Sequence, residues 1–350
     1  LLPNQTYKYQ ASSIQHPALS NELSITTMDT TSHNFTFESW TFGTIGSSVL
    51  YDVAIIDENN IWAVGEIMIA DTSENGYTTY NAVHWDGNQW ELKRIPFYYQ
   101  GDSLYGQIYA VYAFSTDDIW FGIGSMIHWN GSLYRPISTQ GIFQSLVRKI
   151  WGSSSNDLYI VGNNGSIAHY NGTSWKKIES GTDLNINDIW GDYNEKTGEW
   201  EILAVASNVN SSSEREIIHL ENNTSQILSS NPIKWSLRSV WFKSGKKYYV
   251  AGSGIYEKNK LSAEKWANEP LDITPYYVNC IRGNDVNDVL GVGAFGDIVH
   301  FNGHNWKVDY TEASLSFGTY LSVDIKQTLF VAVGLDHNRA VILTGKKIKN

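Results

Sequence analysis

Cysteine is almost absent from this chain of 350 residues: Cys280 stands alone, beside only 3 methionines and 7 prolines. One thiol excludes an internal disulfide framework and any cysteine-based zinc site. Charge is also sparse. Asp, Glu, Lys and Arg make up 17% of the chain, and 25 basic against 36 acidic residues leave a formal net charge of −11. That balance argues against nucleic acid or an anionic membrane surface as partner, since either needs a basic face. No apolar run approaches the roughly 20 residues a membrane-crossing helix requires. No strand–glycine-rich loop–helix unit is present to cradle a diphosphate, so no cofactor is expected. What is abundant is aromatic: 14 Trp, 21 Tyr and 12 Phe, together with 29 Gly. Aromatic, glycine-rich and proline-poor chains are typical of β-structure.

The aromatics recur in a frame. His84-Trp85-Asp86-Gly87-Asn88-Gln89-Trp90 is echoed by His128-Trp129-Asn130-Gly131-Ser132-Leu133-Tyr134. His169-Tyr170-Asn171-Gly172-Thr173-Ser174-Trp175 and His300-Phe301-Asn302-Gly303-His304-Asn305-Trp306 repeat it, with degenerate copies near His219 and Tyr256. An apolar segment precedes each copy, as in Ile61-Trp62-Ala63-Val64-Gly65 and Leu158-Tyr159-Ile160-Val161-Gly162; a seventh, Phe330-Val331-Ala332-Val333-Gly334, lacks a following motif. One more short run lies upstream of each, clearest in Lys149-Ile150-Trp151-Gly152 and Asp188-Ile189-Trp190-Gly191. The Asp-Gly and Asn-Gly pairs supply the positive-φ residues of two-residue hairpin turns. Each unit therefore reads as four short antiparallel strands.

Four strands in about 40–45 residues, seven times over, predict an all-β, seven-bladed β-propeller, because a blade must stack on its neighbours to bury both faces of its sheet. The seventh unit stops short at Val341-Ile342-Leu343-Thr344-Gly345. Its outer strand is expected from residues 35–42, where Trp40 falls in the frame of Trp90 and Trp175, pairing with 340–344; Lys346–Asn350 is the rival. The propeller then spans 35–350. Residues 1–34 stand apart as two strands and a linker, and the Leu2, Pro3 and Tyr7 spacing is similar to the tyrosine corner of a fibronectin type III module.

Taken together, a fibronectin-like tail followed by such blades resembles a group of secreted or lipid-anchored bacterial propeller proteins, often loosely labelled glucosyltransferase. The resemblance implies an extracellular or cell-envelope location, with any lipid anchor upstream of Leu1. It implies no particular chemistry, because propellers host unrelated functions.

Recurrence separates packing residues from candidates for function. His84, His128, His169, His219 and His300 sit one per blade at equal radius and cannot converge on one metal ion. Trp62 with Trp120, and Trp151 with Trp190 and Trp241, recur as core residues do. Asp183-Leu184-Asn185-Ile186-Asn187-Asp188 has oxygen ligands at alternate positions but lacks the glycine and closing glutamate of a calcium loop. A sialidase-like site would need three convergent arginines, and Arg282 is out of register with Arg148 and Arg238. His16 and His33 are isolated.

The ring formed by the starts of the inner strands does not recur: Tyr51, Tyr109, Arg148, Asn187, Arg238, Asn279 and Leu321, beside Asp52 and Asp188. These residues are expected at the channel mouth, on the face that also receives the longer links 66–81, 97–102, 140–143, 207–216, 272–277 and 309–319. Long loops on a rigid scaffold are where binding evolves. Phe97, Tyr98, Tyr99, Phe143, Tyr276, Tyr277 and Phe317 are out-of-frame aromatics in those links and match the residue types of binding hot spots. The expected function is a non-catalytic binding or assembly module for a protein or glycan. The alternative is a glycan-active enzyme with Asp52 and Asp188 as acid and base.

Overall fold

The period-two patterning of each repeat is realised as seven four-stranded antiparallel sheets arranged as a β-propeller. The computed structural model describes all residues except 1, 15–18, 100–101, 209–213, 269–272, 309 and 349–350; the placement of the Tyr99 and Asn268 side chains is likewise undescribed. His16 and parts of the links around 100, 210 and 270 therefore lie outside the described residues, as do Asp309 and the last two residues of the rival closing segment. The only helix among the described residues is a single 3-10 turn, Thr311–Ala313, and none is long and apolar enough to cross a membrane.

Blade 3 shows the plan. Val147–Ser154 is innermost, followed outward by Asp157–Gly162, Ser166–Tyr170 and Trp175–Glu179. Beyond Asp157 the second strand is apolar and buried because it is covered on both faces by neighbouring blades. The inner strands of the remaining blades begin near residues 49, 110, 186, 237, 278 and 319.

Closure follows the expected route. Phe35–Phe42 pairs antiparallel with Arg339–Lys347, from Phe35 opposite Lys347 to Phe42 opposite Ala340. Lys346 and Lys347 belong to the third strand of blade 7, so they are not available as a fourth. Trp40 packs against Trp85 and Trp90 of blade 1, with ring centroids 6.0 Å apart in both pairs. The seam between blades 7 and 1 thus shares one apolar core that includes Leu50, Ile67, Val333 and Ile342.

The Asp-Gly and Asn-Gly segments form four-residue loops rather than two-residue turns, since Trp85 pairs with Trp90 and Tyr170 with Trp175. The reason is local. The Asp86 carboxylate accepts the backbone N–H groups of Asn88 and Gln89, both at 2.8 Å, and Gly87 takes the positive φ that such a turn requires. The link 66–81 also differs from a loop: strands Asn60–Ala70 and Tyr77–Trp85 continue the sheet outward, leaving only 71–76 as turn.

Outside the blades, Thr6–Tyr9 and Leu23–Thr26 form a two-stranded sheet of their own. The Tyr7 hydroxyl accepts the Leu2 backbone N–H at 2.8 Å, closing on the chain five residues upstream as a tyrosine corner does.

Candidate functional site

An inner strand is a sheet edge whose unpaired N–H and C=O groups face the channel and must find partners. Six of the seven inner strands carry a β-bulge at one shared position, after Leu50, Val147, Ile186, Leu237, Val278 and Tyr320. A bulge re-aims the extra side chain. The bulged residues are Tyr51, Arg148, Asn187, Arg238, Asn279 and Leu321, and Tyr109 precedes the inner strand of blade 2 at the equivalent place. These seven residues line one cavity of about 270 Å³ at the channel mouth, together with Leu146 from the blade 2–3 link.

The next residue along each inner strand forms a different layer. Asp52, Lys149, Asp188, Ser239, Cys280 and Ser322 are largely buried, and here charges are paired across the channel. Lys149 Nζ lies 2.5 Å from Asp52 Oδ1, and that carboxylate also accepts the Ser322 hydroxyl and the Val111 N–H. Arg282 grips Asp188 with two parallel bonds of 2.9 and 2.8 Å, while Ser239 Oγ and the Val240 N–H complete the carboxylate's shell. Val111 and Val240 belong to the next blade in each case, so these carboxylates satisfy the edge groups of their neighbours. Ser239 does the same for the Ile281 N–H at 3.0 Å.

The electrostatics follow from this pairing. Burial works to raise the Asp188 carboxyl, but the Arg282 charge and its hydrogen bonds more than reverse that and hold it below the usual carboxylate range. Burial likewise works against a charged Arg282 and a charged Lys149, and the facing carboxylates raise both above their ordinary values. Asp324, one layer deeper, differs: burial dominates and raises it, despite its bonds from the Ile55 and Ile325 N–H groups. Lys149 lines both the mouth and a second cavity, of about 260 Å³, at the opposite end of the channel. The paired layer is therefore a floor. With each carboxylate saturated by a cation and by hydrogen bonds, neither Asp52 nor Asp188 is placed to trade protons with a ligand as an acid–base pair needs.

Above that floor the chemistry changes. Arg148 Nε donates to Asn163 Oδ1, and Arg238 has a single long bond of 3.4 Å to Asn187 Oδ1. Among the described residues neither arginine has a carboxylate within ion-pair distance. Burial, and then the facing Arg238 charge, lower Arg148 from its ordinary value. Tyr51 and Tyr109 lie ring to ring at 4.9 Å; burial raises both phenols, with the Tyr109 and Glu66 charges adding to it at Tyr51 and the Glu66 charge at Tyr109. Asn187 and Asn279 are occupied structurally, donating their amide hydrogens to the Leu237 and Tyr320 carbonyls of the next blade.

The loop aromatics divide. Tyr98, Tyr276 and Phe317 are exposed, with Phe317 at 77%. Phe143 is buried in the core between blades 2 and 3, against Trp120 and Ile160, because its link folds back over the blade edge. Phe97 packs into the blade 1–2 core, and Tyr277 is half-buried with its hydroxyl 3.0 Å from Ser236 Oγ. Trp235 and Phe295 are exposed aromatics on the same face that the repeat frame did not single out. Phe295 holds a φ of +58° and lies 5.1 Å from Tyr276; a bulky residue in that region is strained. Trp235 was legible as an out-of-frame aromatic three residues before Arg238.

Elsewhere the repeat residues do structural work. His84 and His128 stack on Trp62 and Trp120, with centroids 4.4 and 4.3 Å apart. His128, His169 and His300 each bond an aspartate on the adjacent strand, Asp118, Asp157 and Asp288. Among the described residues no group of His, Cys, Asp and Glu is arranged to hold a metal ion. Cys280 is buried in the floor.

This is a seven-bladed β-propeller of the kind found in several solved structures. YCF48 bound to a D1 peptide superposes with a TM-score of 0.64 at 14% identity, covering 91% of this chain and 100% of that one. The WD40 propeller domain of Doa1 gives 0.63 at 13% identity, over 89% and 98%. YCF48 from Cyanidioschyzon merolae gives 0.58 at 15%, over 87% and 98%. Identities this low establish the fold alone. No protein-family model and no curated protein matches the sequence.

Proposed function

We propose that this propeller is a non-catalytic binding or assembly module of the bacterial cell envelope that engages a protein partner through its long-loop face. The observation that carries this reading is the mouth cavity. Its lining departs from the repeat, opens on the face whose links carry the exposed aromatics, and is closed below by a floor of paired charges. A packed floor beneath an open, non-repeating ring suits recognition rather than passage. The solved YCF48 propeller with its D1 peptide is a precedent for peptide binding by this fold. The envelope location rests on the resemblance of the sequence to secreted and lipid-anchored propellers.

The test is affinity capture from bacterial envelope fractions with the wild-type chain and with a variant carrying Tyr98→Ala, Tyr276→Ala and Phe317→Ala. The variant is expected to lose the captured partner while its melting temperature changes little, since all three side chains are exposed. Retained capture would remove the face assignment.

A further inference from the structure

The mouth concentrates positive charge in a protein whose net charge is −11. Of the charged residues lining it, Asp52 and Asp188 are matched by Lys149 and Arg282 in the floor. Arg148 and Arg238 are left over. Both line the cavity, and the Arg238 charge adds to burial in lowering Arg148. The rim carboxylate Glu66 is on the tyrosine side, where it takes the Gln107 amide. Two guanidiniums lining one cavity, with no carboxylate at ion-pair distance among the described residues, are an incomplete ion pair, and the missing component is an anion.

We propose that Arg148 and Arg238 are a carboxylate-binding pair, and that the partner inserts an acidic peptide group, a side chain or a free C-terminus, into the channel mouth. This rests on the reading that the long-loop face binds a protein. Three features select a peptide carboxylate over other anions. No glycine-rich run of backbone N–H groups lines the cavity, as phosphate sites commonly provide. The Asn187 and Asn279 amide hydrogens are committed to neighbouring blades, so few donors or acceptors remain for the many hydroxyls of an acidic sugar. Leu146, Leu321 and the Tyr51–Tyr109 pair give apolar walls beside the arginines, a fit for the side chains flanking a carboxylate.

Fluorescence anisotropy with three fluorescein-labelled probes tests this: the peptide Gly-Ser-Gly-Phe with a free C-terminus, the same peptide amidated, and an amidated Gly-Phe-Glu-Phe. At least one acid-bearing probe should bind ten times or more tightly than the amidated neutral one, and binding should weaken with added salt. Arg148→Gln with Arg238→Gln should abolish that preference without lowering the melting temperature, whereas Lys326→Gln at the opposite end of the channel should leave it intact. Arg148→Lys with Arg238→Lys, which keeps charge but loses the planar fork, should retain an intermediate preference. Equal binding of neutral and acidic probes, no binding of either acid, or preference for a phosphopeptide or an oligogalacturonate would overturn the proposal. Should the doubly substituted glutamine variant still capture the envelope partner, the carboxylate pair falls while the face assignment stands. Retained capture by the aromatic variant, with the arginine-dependent preference for an acid intact, separates the two in the other direction.

Discussion

Two layers of one channel, a single residue apart along the inner strands, solve the charge problem in opposite ways. In the floor every carboxylate has a cation: Asp52 meets Lys149 and Asp188 meets Arg282, all largely buried. In the ring above, Arg148 and Arg238 have no carboxylate among the described residues. The lower layer is largely buried, and an unmatched charge there would cost several kcal/mol. The upper layer opens to solvent, which tolerates an unmatched guanidinium. A propeller inner strand can therefore carry a paired and an unpaired charge on adjacent residues, and the bulge separates the two by re-aiming one side chain.

The largest effect should come from breaking the floor. Asp188→Asn leaves Arg282 buried and unmatched, and a loss of about 3–5 kcal/mol is expected in urea unfolding. Replacing both partners, Asp188→Leu with Arg282→Met, should recover most of that loss. A double variant as unstable as the single one would mean the pair is not the unit of stability.

A smaller effect, read through pH, concerns a third paired network, between blade 6 and the strands that close blade 7. His33 Nδ1 lies 2.8 Å from His300 Nδ1, His300 Nε2 bonds Asp288, and Asp288 also bonds Lys347 on the strand that the N-terminal strand pairs with. Burial, with the His300 and Lys307 charges, lowers His33 to about 4; His300 is lowered as well, chiefly by burial. The folded protein thus keeps His33 neutral where the unfolded chain would protonate it. Its contribution is complete above about pH 6.5, falls as pH drops toward 4, and is constant below that. His33→Gln should flatten the melting temperature over that window relative to wild type. An unchanged slope would assign the pH response to other groups.

The smallest stability effect should come from the ring. Arg148→Gln and Arg238→Gln should each shift unfolding by no more than about 0.5 kcal/mol, and in the stabilising direction if mutual repulsion dominates. A loss comparable to that of Asp188→Asn would show that the two layers are not distinct in kind.

Much of the candidate site's geometry was legible in the sequence. Tyr51, Arg148, Asn187, Arg238, Asn279 and Leu321 could be placed at one level because each follows the same link and begins the same strand of a repeat. Reading one position further, through Asp52, Lys149, Asp188, Ser239 and Ser322, would have exposed the alternation of sign in the floor. Arg282 resisted because it stands where blades 3, 4 and 5 carry Trp151, Trp190 and Trp241. It is out of register with the ring, yet its long side chain reaches Asp188 across the channel. Phe143 resisted for another reason: out-of-frame aromatics in links look alike in sequence, whether they point to solvent or fold back between blades.

The sequence by itself determined the number of blades, the four-strand plan and the strand that closes the ring. Those rest on alternation, turn residues and recurrence, which are local along the chain. Only the tertiary structure decided which charges meet, because Asp52 and Lys149 are 97 residues apart, and Asp188 and Arg282 are 94 apart. Each pair spans two blades, and what joins its members is the curvature that brings non-adjacent inner strands to one axis. The same curvature brings Arg148 and Arg238 to the lining of one mouth cavity.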